Sequence, residues 1–318
     1  MTYRRSRIHI IARPERGTAV RDHAQSTRLR RSTAATALLA CAALLAGCTS
    51  DSGEAGARSA RSGANRPAAK PTPTWDPRPS SIASVGDSIS RGFDACSVLS
   101  DCPEASWSTG MDVDSLARQL LPNPQRRTWN YAKTGAVMAD LPAQISAATA
   151  KRPELVTVLI GANDACQDTV AQMTPVADFR ADFAASLSAL RRTLPKTQVY
   201  VASVPDLKRL WSEGRKDAVR RQVWKLGICP SMLRDAQSTH ERANERRDQV
   251  HQRVRDYNQV LREECAKVVL CRYDKAVHDY RFTSDELSKW DWFHPSKEGQ
   301  QKLAALAYTE ITRRDGSA

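Results

Sequence analysis

Four short segments carry groups that suit one reaction class: Gly86-Asp87-Ser88, Asn130 to Gly135, Gly161-Ala162-Asn163-Asp164 and Asp291-Trp292-Phe293-His294. A serine hydroxyl is a weak nucleophile until a base takes its proton, and histidine, titrating near neutrality, suits that task. The histidine needs a carboxylate to fix its tautomer and to stabilise the imidazolium. Asp291 and His294 are separated by two residues, a spacing that one turn of chain can close. When serine attacks an acyl carbon, the resulting oxyanion needs fixed donors, each worth about 3 kcal/mol. The candidates are the backbone N–H groups of Ser88 and Gly135 and the side-chain amide of Asn163. Each segment alone has an ordinary reading. Gly-Asp-Ser also reads as a turn with a helix cap, Asp87 and Asp164 as carboxylates that bond local backbone, and Asn163 as a turn residue. The set carries the weight.

Residues so far apart in sequence need elements that bring them to one place. An open parallel sheet does this, because the loops after successive strands converge on one rim. Strands are expected at Ile82–Val85, Thr128–Ala132, Leu155–Ile160, Gln198–Val204 and Val268–Tyr273. Helices are expected at Asp112–Leu121, Leu141–Ala150, Val176–Leu194, Thr239–Lys267 and Ser296–Arg313, with an insertion-like stretch from Leu207 to Asp235. Continuous apolar strands alternating with amphipathic helices imply a doubly wound parallel sheet covered on both faces. In the long helix Val250, Val254, Tyr257 and Leu261 form the stripe to be buried, and its many charges read as a solvated face. His278 competes with His294 as a base but lacks the Asp-x-x-His context and reads as a surface residue. Trp290, Trp292 and Phe293 read equally as pocket lining or as anchors of their loop.

This ordered set resembles the SGNH (GDSL-type) hydrolase superfamily, named for its Ser, Gly, Asn and His. Ser88 matches the nucleophile, Gly135 and Asn163 the oxyanion donors, His294 the base and Asp291 its orienting acid; Ile89 stands where the GDSL name has leucine. The resemblance implies a three-layer α/β/α sandwich around a mainly parallel, flavodoxin-like sheet. It implies hydrolysis of carboxylic esters through a Ser88 acyl-enzyme, with no metal or organic cofactor. The substrate is a lipid ester, in an esterase or lipase, or alternatively an O-acetylated carbohydrate. A non-catalytic glycan- or lipid-binding protein is the rival from another class; such relatives usually lose the serine, histidine or asparagine, which are all present here.

The chain of 318 residues is 41% hydrophobic, enough for a core, and only 6% aromatic, and its net charge of +13 is uneven. Residues 1–48 hold nine arginines against Glu15 and Asp22, or +7, leaving +6 for the rest. A modestly basic surface of that kind does not call for nucleic acid as a partner. Arg28, Arg30 and Arg31 precede an apolar run, Ala34–Ala46, with the length of a signal h-region. It ends in Leu45-Ala46-Gly47-Cys48, which resembles a bacterial lipobox with Cys48 as the lipidated residue. Residues 1–27 lack apolar periodicity, so translation is expected to start downstream of Met1. The expected organisation is a leader over 1–48, a Ser-, Gly-, Ala-, Arg- and Pro-rich tether over 49–79, and a hydrolase domain over 80–318. That places an exported monomer on the outer face of the membrane, held by its lipid. No Cys-x-x-Cys or zinc-finger spacing occurs among Cys96, Cys102, Cys166, Cys229, Cys265 and Cys271. An even count in an exported chain favours disulfides Cys96–Cys102 and Cys265–Cys271, with Cys166–Cys229 as the long-range pair, among 15 possible connectivities.

Overall fold

The computed structural model describes residues 73–314. The expected leader, Cys48 and most of the expected tether lie outside them. Trp75 and Asp76, within the span expected to be tether, are bonded to the domain. Trp75 Nε1 donates to the Ile311 carbonyl at 2.8 Å, the Arg272 guanidinium lies 4.3 Å over its ring, and Gln198 Nε2 donates to the Asp76 carbonyl at 2.9 Å. Among the described residues no helix is long and apolar enough to cross a membrane.

Strands β1 (Ile82–Gly86), β2 (Thr128–Asn130), β3 (Leu155–Leu159), β4 (Gln198–Ala202) and β5 (Cys271–Asp274) form one parallel sheet in the order β2-β1-β3-β4-β5. Ala83 is in register with Trp129 on one side and Val156 on the other, and Val156 with Val199. Alternate residues feed two cores, which is why the strands are apolar throughout. Ala83, Val85, Val156, Val158, Val199 and Val201 pack beneath helices Leu141–Thr149, Val176–Thr193 and Glu241–Ala266. Ile82, Leu155, Leu159 and Tyr200 meet Leu116, Leu303, Ala307 and Ile311 of helices Leu116–Leu120 and Lys297–Thr312. The expected three-layer α/β/α sandwich is the fold.

The differences are local and have causes. β2 stops at Asn130, although the chain stays beside β1: Tyr131 N donates to the Ser84 carbonyl and Lys133 N to that of Gly86. β5 begins at Cys271, because Leu270 takes a left-handed φ of 61° and residues 268–271 form a turn closed by the Cys265–Cys271 disulfide. The insertion folds into helices Leu207–Gly214, Ala218–Trp224 and Pro230–Leu233, which bury Trp211, Trp224 and Met232 in the first core. The stripe of the long helix is buried as expected, but its charged face is not wholly solvated. Arg247 is fully buried, with its guanidinium 4.1 Å over the Trp211 ring and donating at 2.7 Å to the carbonyls of Asp235 and Ser238. The disulfides are Cys96–Cys102, Cys166–Cys229 and Cys265–Cys271, the expected pairing.

This strand order reverses direction between β1 and β3, and a crevice opens at such a switch point beyond the carboxyl ends of the strands. Ser88 follows β1 and Asn163 follows β3.

Candidate active site

Ser88 opens a one-turn helix, Ser88–Arg91, directly after β1. The turn depends on Gly86, whose φ is 145° and where a Cβ would lie 2.1 Å from the Leu159 carbonyl oxygen. No side chain fits there without displacing β3. The buried Gln144 amide holds the same residue from the helix layer: Gly86 N donates to Oε1 at 2.7 Å, and Nε2 donates to the Gly86 carbonyl at 2.9 Å. Asp87 caps the turn, its Oδ1 accepting from Ile89 N at 2.9 Å. From the opposite layer, Gln300 Nε2 donates to the Ile89 carbonyl at 2.9 Å while its Oε1 accepts from Trp107 N at 2.9 Å. Ser88 is thus fixed from both sides of the sheet.

His294 reaches Ser88 from the loop before the last helix. Its Nε2 lies 2.8 Å from Ser88 Oγ and its Nδ1 lies 2.5 Å from Asp291 Oδ2. The other carboxylate oxygen of Asp291 accepts from the backbone N–H groups of Phe293, at 2.8 Å, and His294, at 3.0 Å. Trp292 adopts a left-handed φ of 48°, which folds the two-residue spacer into the tight turn that these bonds close. Trp224 Nε1 of the insertion donates to the Asp291 carbonyl at 3.0 Å. Ring edges of Phe93 and Phe293 flank the imidazole at 4.9 and 5.2 Å. The turn fixes the ring.

The donor groups converge on the same rim. Lys133 N donates to the Gly86 carbonyl at 3.1 Å, and Asn163 Nδ2 donates to the Ala136 carbonyl at 2.9 Å, so residues 133–136 bridge the ends of β1 and β3. Gly135 sits exposed within that bridge at φ 81°. Among the described residues the N–H groups of Ser88 and Gly135 donate to no partner, and Asn163 Nδ2 has a second hydrogen free. Three donors of this kind are what an oxyanion requires.

Buried charge shapes the electrostatics. Burial works to raise the Asp291 carboxyl, but the bonds from the His294 ring and from the Phe293 and His294 N–H groups outweigh it and hold it below the ordinary range. Burial pushes Asp87 up to about 7 and Asp164 up to about 6. Asp164 accepts from Met138 N with both oxygens, at 2.9 and 3.1 Å, and is a structural partner of the bridge. Asp94, Asp291 and His294 place one ligand-type atom each within 4.8 Å of one another. Two of these three residues already bond to each other, through His294 Nδ1 and Asp291 Oδ2.

The GDSL-like lipase/acylhydrolase family model matches residues 82–307, which is most of the chain and contains all four segments. The chain belongs to this family. No curated protein matches it. Among solved structures it is similar to TesA, at 16% identity over 73% of this chain and 97% of that one, with a TM-score of 0.45. It is similar to a family 3 carbohydrate esterase of Clostridium thermocellum, at 15% identity over 72% and 94%, with a TM-score of 0.45. It is also similar to a psychrotrophic esterase EstA from Pseudoalteromonas sp., at 13% identity over 73% and 96%, with a TM-score of 0.43.

In this GDSL-family chain every residue singled out for the site lies on the one rim, except the competitor His278. That histidine is half-buried rather than superficial. Its N–H donates to Ser203 Oγ at 2.9 Å, and its Nδ1 lies 3.0 Å from the Val204 carbonyl. A cavity of about 390 Å³ opens beside the His294 loop, with Leu210, Arg220, Tyr280, Phe282 and Trp292 among its lining and neither Ser88 nor His294. Trp292 therefore lines a pocket, Phe293 packs against the first core, and Trp290 is 38% exposed. Sequence reasoning missed Gln144 and Gln300. Gln144 left a signal: it falls on the Leu141, Ile145, Ala148 stripe of its helix, where only a bonded polar residue belongs.

Proposed function

We propose that the protein is a serine esterase that cleaves carboxylic esters through an acyl-enzyme on Ser88. The hydrogen-bonded line from Ser88 Oγ through His294 to Asp291 carries the reading, at 2.8 and 2.5 Å. His294 Nε2 takes the hydroxyl proton as Oγ attacks the acyl carbon. The oxyanion is met by the Ser88 and Gly135 N–H groups and the Asn163 amide. His294 returns the proton to the departing alcohol, then deprotonates the water that releases the acid and frees Ser88.

The substrate we favour is an ester with an apolar acyl chain. Val98 and Leu99, 54% and 80% exposed, stand on one loop and the half-exposed Trp290 on the other, and the loops meet at Ser288. Ser288 Oγ donates to the Asp94 carbonyl at 2.7 Å and accepts from Trp290 N at 3.2 Å. Apolar side chains on both banks of a site suit a lipid surface. The Trp292 cavity, with Arg220 and Tyr280 in its wall, supports O-acetylated carbohydrate as the second reading. The lipobox-like Leu45 to Cys48 supports export and anchoring by a lipid on Cys48, and three disulfides suit an oxidising compartment.

One experiment addresses both levels. A fluorophosphonate is expected to label Ser88 in the membrane fraction, Ser88→Ala to lose both the label and turnover of a short p-nitrophenyl ester while keeping its circular dichroism, and Cys48→Ala to release labelled protein to the soluble fraction. Undiminished turnover by folded Ser88→Ala would overturn the nucleophile; membrane retention of Cys48→Ala would overturn the anchor. Chain-length profiling of esters then separates acyl lipid from acetyl sugar.

A further inference from the structure

The insertion that supports Asp291 turns apolar side chains outward. Its helix Ala218–Trp224 continues as a turn through Gly227: Leu226 N donates to the Val223 carbonyl at 2.9 Å and Gly227 N to that of Trp224 at 3.3 Å. At 3.6 residues per turn Val219, Val223 and Leu226 share one face, and Trp224 lies on the other side. Trp224 is 2% exposed and belongs to the first core, whereas Val219 is 59% and Leu226 82% exposed. One buried ring therefore holds the helix with its apolar stripe facing away from the domain.

The same stretch concentrates positive charge. Residues 207–235 hold eight Lys and Arg against Glu213, Asp217 and Asp235, or +5. Residues 73–318 as a whole carry +4, so outside the insertion the domain sums to −1. Lys208, Arg209 and Arg234 are offset by Asp248, Asp206 and Asp235. Arg215, Lys216, Arg221 and Lys225, just before the helix or on it, form no ion pair among the described residues. The Arg215 guanidinium lies 4.9 Å over the Trp211 ring, Arg221 donates to the Arg215 carbonyl at 2.8 Å, Lys225 donates to Gln222 Oε1 at 3.2 Å, and Lys216 is exposed.

A face both apolar and basic selects its occupant. A second copy would set like charge against like in a symmetric contact. Residues 1–72 carry +9 and are no better complement. A hydrated polyanion would leave Val219 and Leu226 uncovered. An anionic lipid surface satisfies both properties, because it takes apolar side chains at the headgroup boundary and attracts the bases around them.

We propose that the helix Ala218–Trp224 and its turn are a docking surface for an anionic phospholipid bilayer, entered by Val219 and Leu226. The helix borders the site: Trp224 Nε1 donates to the Asp291 carbonyl at 3.0 Å, and the Arg220 guanidinium lies 5.9 Å over the Trp292 ring. Docking sets the Asp291–His294 turn beside the bilayer and orients the domain, which attachment through Cys48 alone would not do. Its purpose rests on the reading of the site as an esterase for lipid esters, but the binding itself needs no turnover.

Binding is read at the helix itself. In the full chain carrying Cys41→Ala and Cys48→Ala the remaining cysteines are paired, so Leu226→Cys accepts a single polarity-sensitive nitrobenzoxadiazole label. Thr309→Cys, exposed on the last helix in the other layer, is the control position. Vesicles of equal parts phosphatidylcholine and phosphatidylglycerol are expected to shift the emission at the Leu226 position to the blue and raise it roughly twofold or more. Phosphatidylcholine alone should change nothing, and neither vesicle should affect the Thr309 position. Lys216→Gln with Lys225→Gln is expected to raise the lipid concentration at half-maximal shift about 25-fold, from roughly fivefold per basic residue. No shift at the Leu226 position on anionic vesicles, an equal shift at Thr309, or a half-maximal concentration unmoved by the charge change overturns the proposal. A shift that needs no vesicles and grows with protein concentration overturns it in favour of contact between copies. Should Leu226→Cys fail to fold, Val219→Cys places the label on the same face and decides by the same outcomes. Fluorophosphonate labelling of Ser88 tests the esterase reading separately, since its loss would leave the vesicle result standing.

Discussion

Asp87 shows how a single buried carboxyl can set a pH dependence that its hydrogen bond does not reveal. Oδ1 caps the Ser88 turn, but Oδ2 is buried without a partner, so ionisation leaves charge in a dry site. Burial raises the folded pKa to about 7, above the ordinary carboxylate value of 3.8. The native state therefore binds more protons than the unfolded chain between those values, and stability falls as pH rises from about 4 to about 7. Asp164, raised to about 6, adds a smaller fall of the same sign. Asp87→Asn keeps the Oδ1 acceptor and removes the titration. Its thermal midpoint should decline less than that of wild type over this range, by the equivalent of at most about 4 kcal/mol. Parallel decline in the two proteins, followed by calorimetry at several pH values, would show that Asp87 titrates normally.

At the scale of elements, the Ser88 turn is held by amides that belong to other layers. Gln144 is the clearest case, since it satisfies both polar groups of Gly86 from within an apolar helix face. Gln144→Leu preserves much of the volume, leaves the buried Gly86 N–H without its partner at a cost of about 1–3 kcal/mol, and removes one of the two donors to the Gly86 carbonyl, Lys133 N being the other. The variant should unfold at lower urea concentration and turn over ester more slowly, through displacement of Ser88. Unchanged urea midpoint and turnover would mean that Gly86 needs no clamp. The same contrast explains what the sequence could reveal. Periodicity and composition identified all five strands and the principal helices, because burial on two faces imposes apolar runs. The four segments could be read because chemistry restricts residue types at the ends of β1 and β3. Local rules carry no such information about Gln144 or Gln300. Their importance comes from partners distant in sequence, such as Gln300 with Ile89 and Trp107, and nothing in the adjacent residues reports those contacts. The shortened start of β5 was hidden for a related reason: a disulfide and a left-handed Leu270 override strand propensity at residues 268–270.

Over the whole domain, the three disulfides differ in what they hold. Cys96–Cys102 and Cys265–Cys271 each close a separation of 6 residues, whereas Cys166–Cys229 closes one of 63. Chain-entropy estimates give about 2 kcal/mol for the short loops and about 4 for the long one. The long bridge also has a place in the site. Cys166 follows the helical turn that carries Asn163, and Cys229 precedes the Pro230–Leu233 helix, where Ser231 Oγ donates to the Ala165 carbonyl at 2.6 Å. The same insertion holds Asp291 through Trp224. One covalent bond therefore joins the support of an oxyanion donor to the support of the Asp291–His294 turn. Replacing Cys166 and Cys229 together by serine should lower the thermal midpoint more than the same change at Cys265 and Cys271. It should also reduce ester turnover at temperatures where the variant is still folded, which the second pair should not do. Equal turnover in two folded double variants would place the insertion among stabilising elements alone. A selective loss would mean that the long-range bridge carries the geometry of the site as well as the stability of the fold.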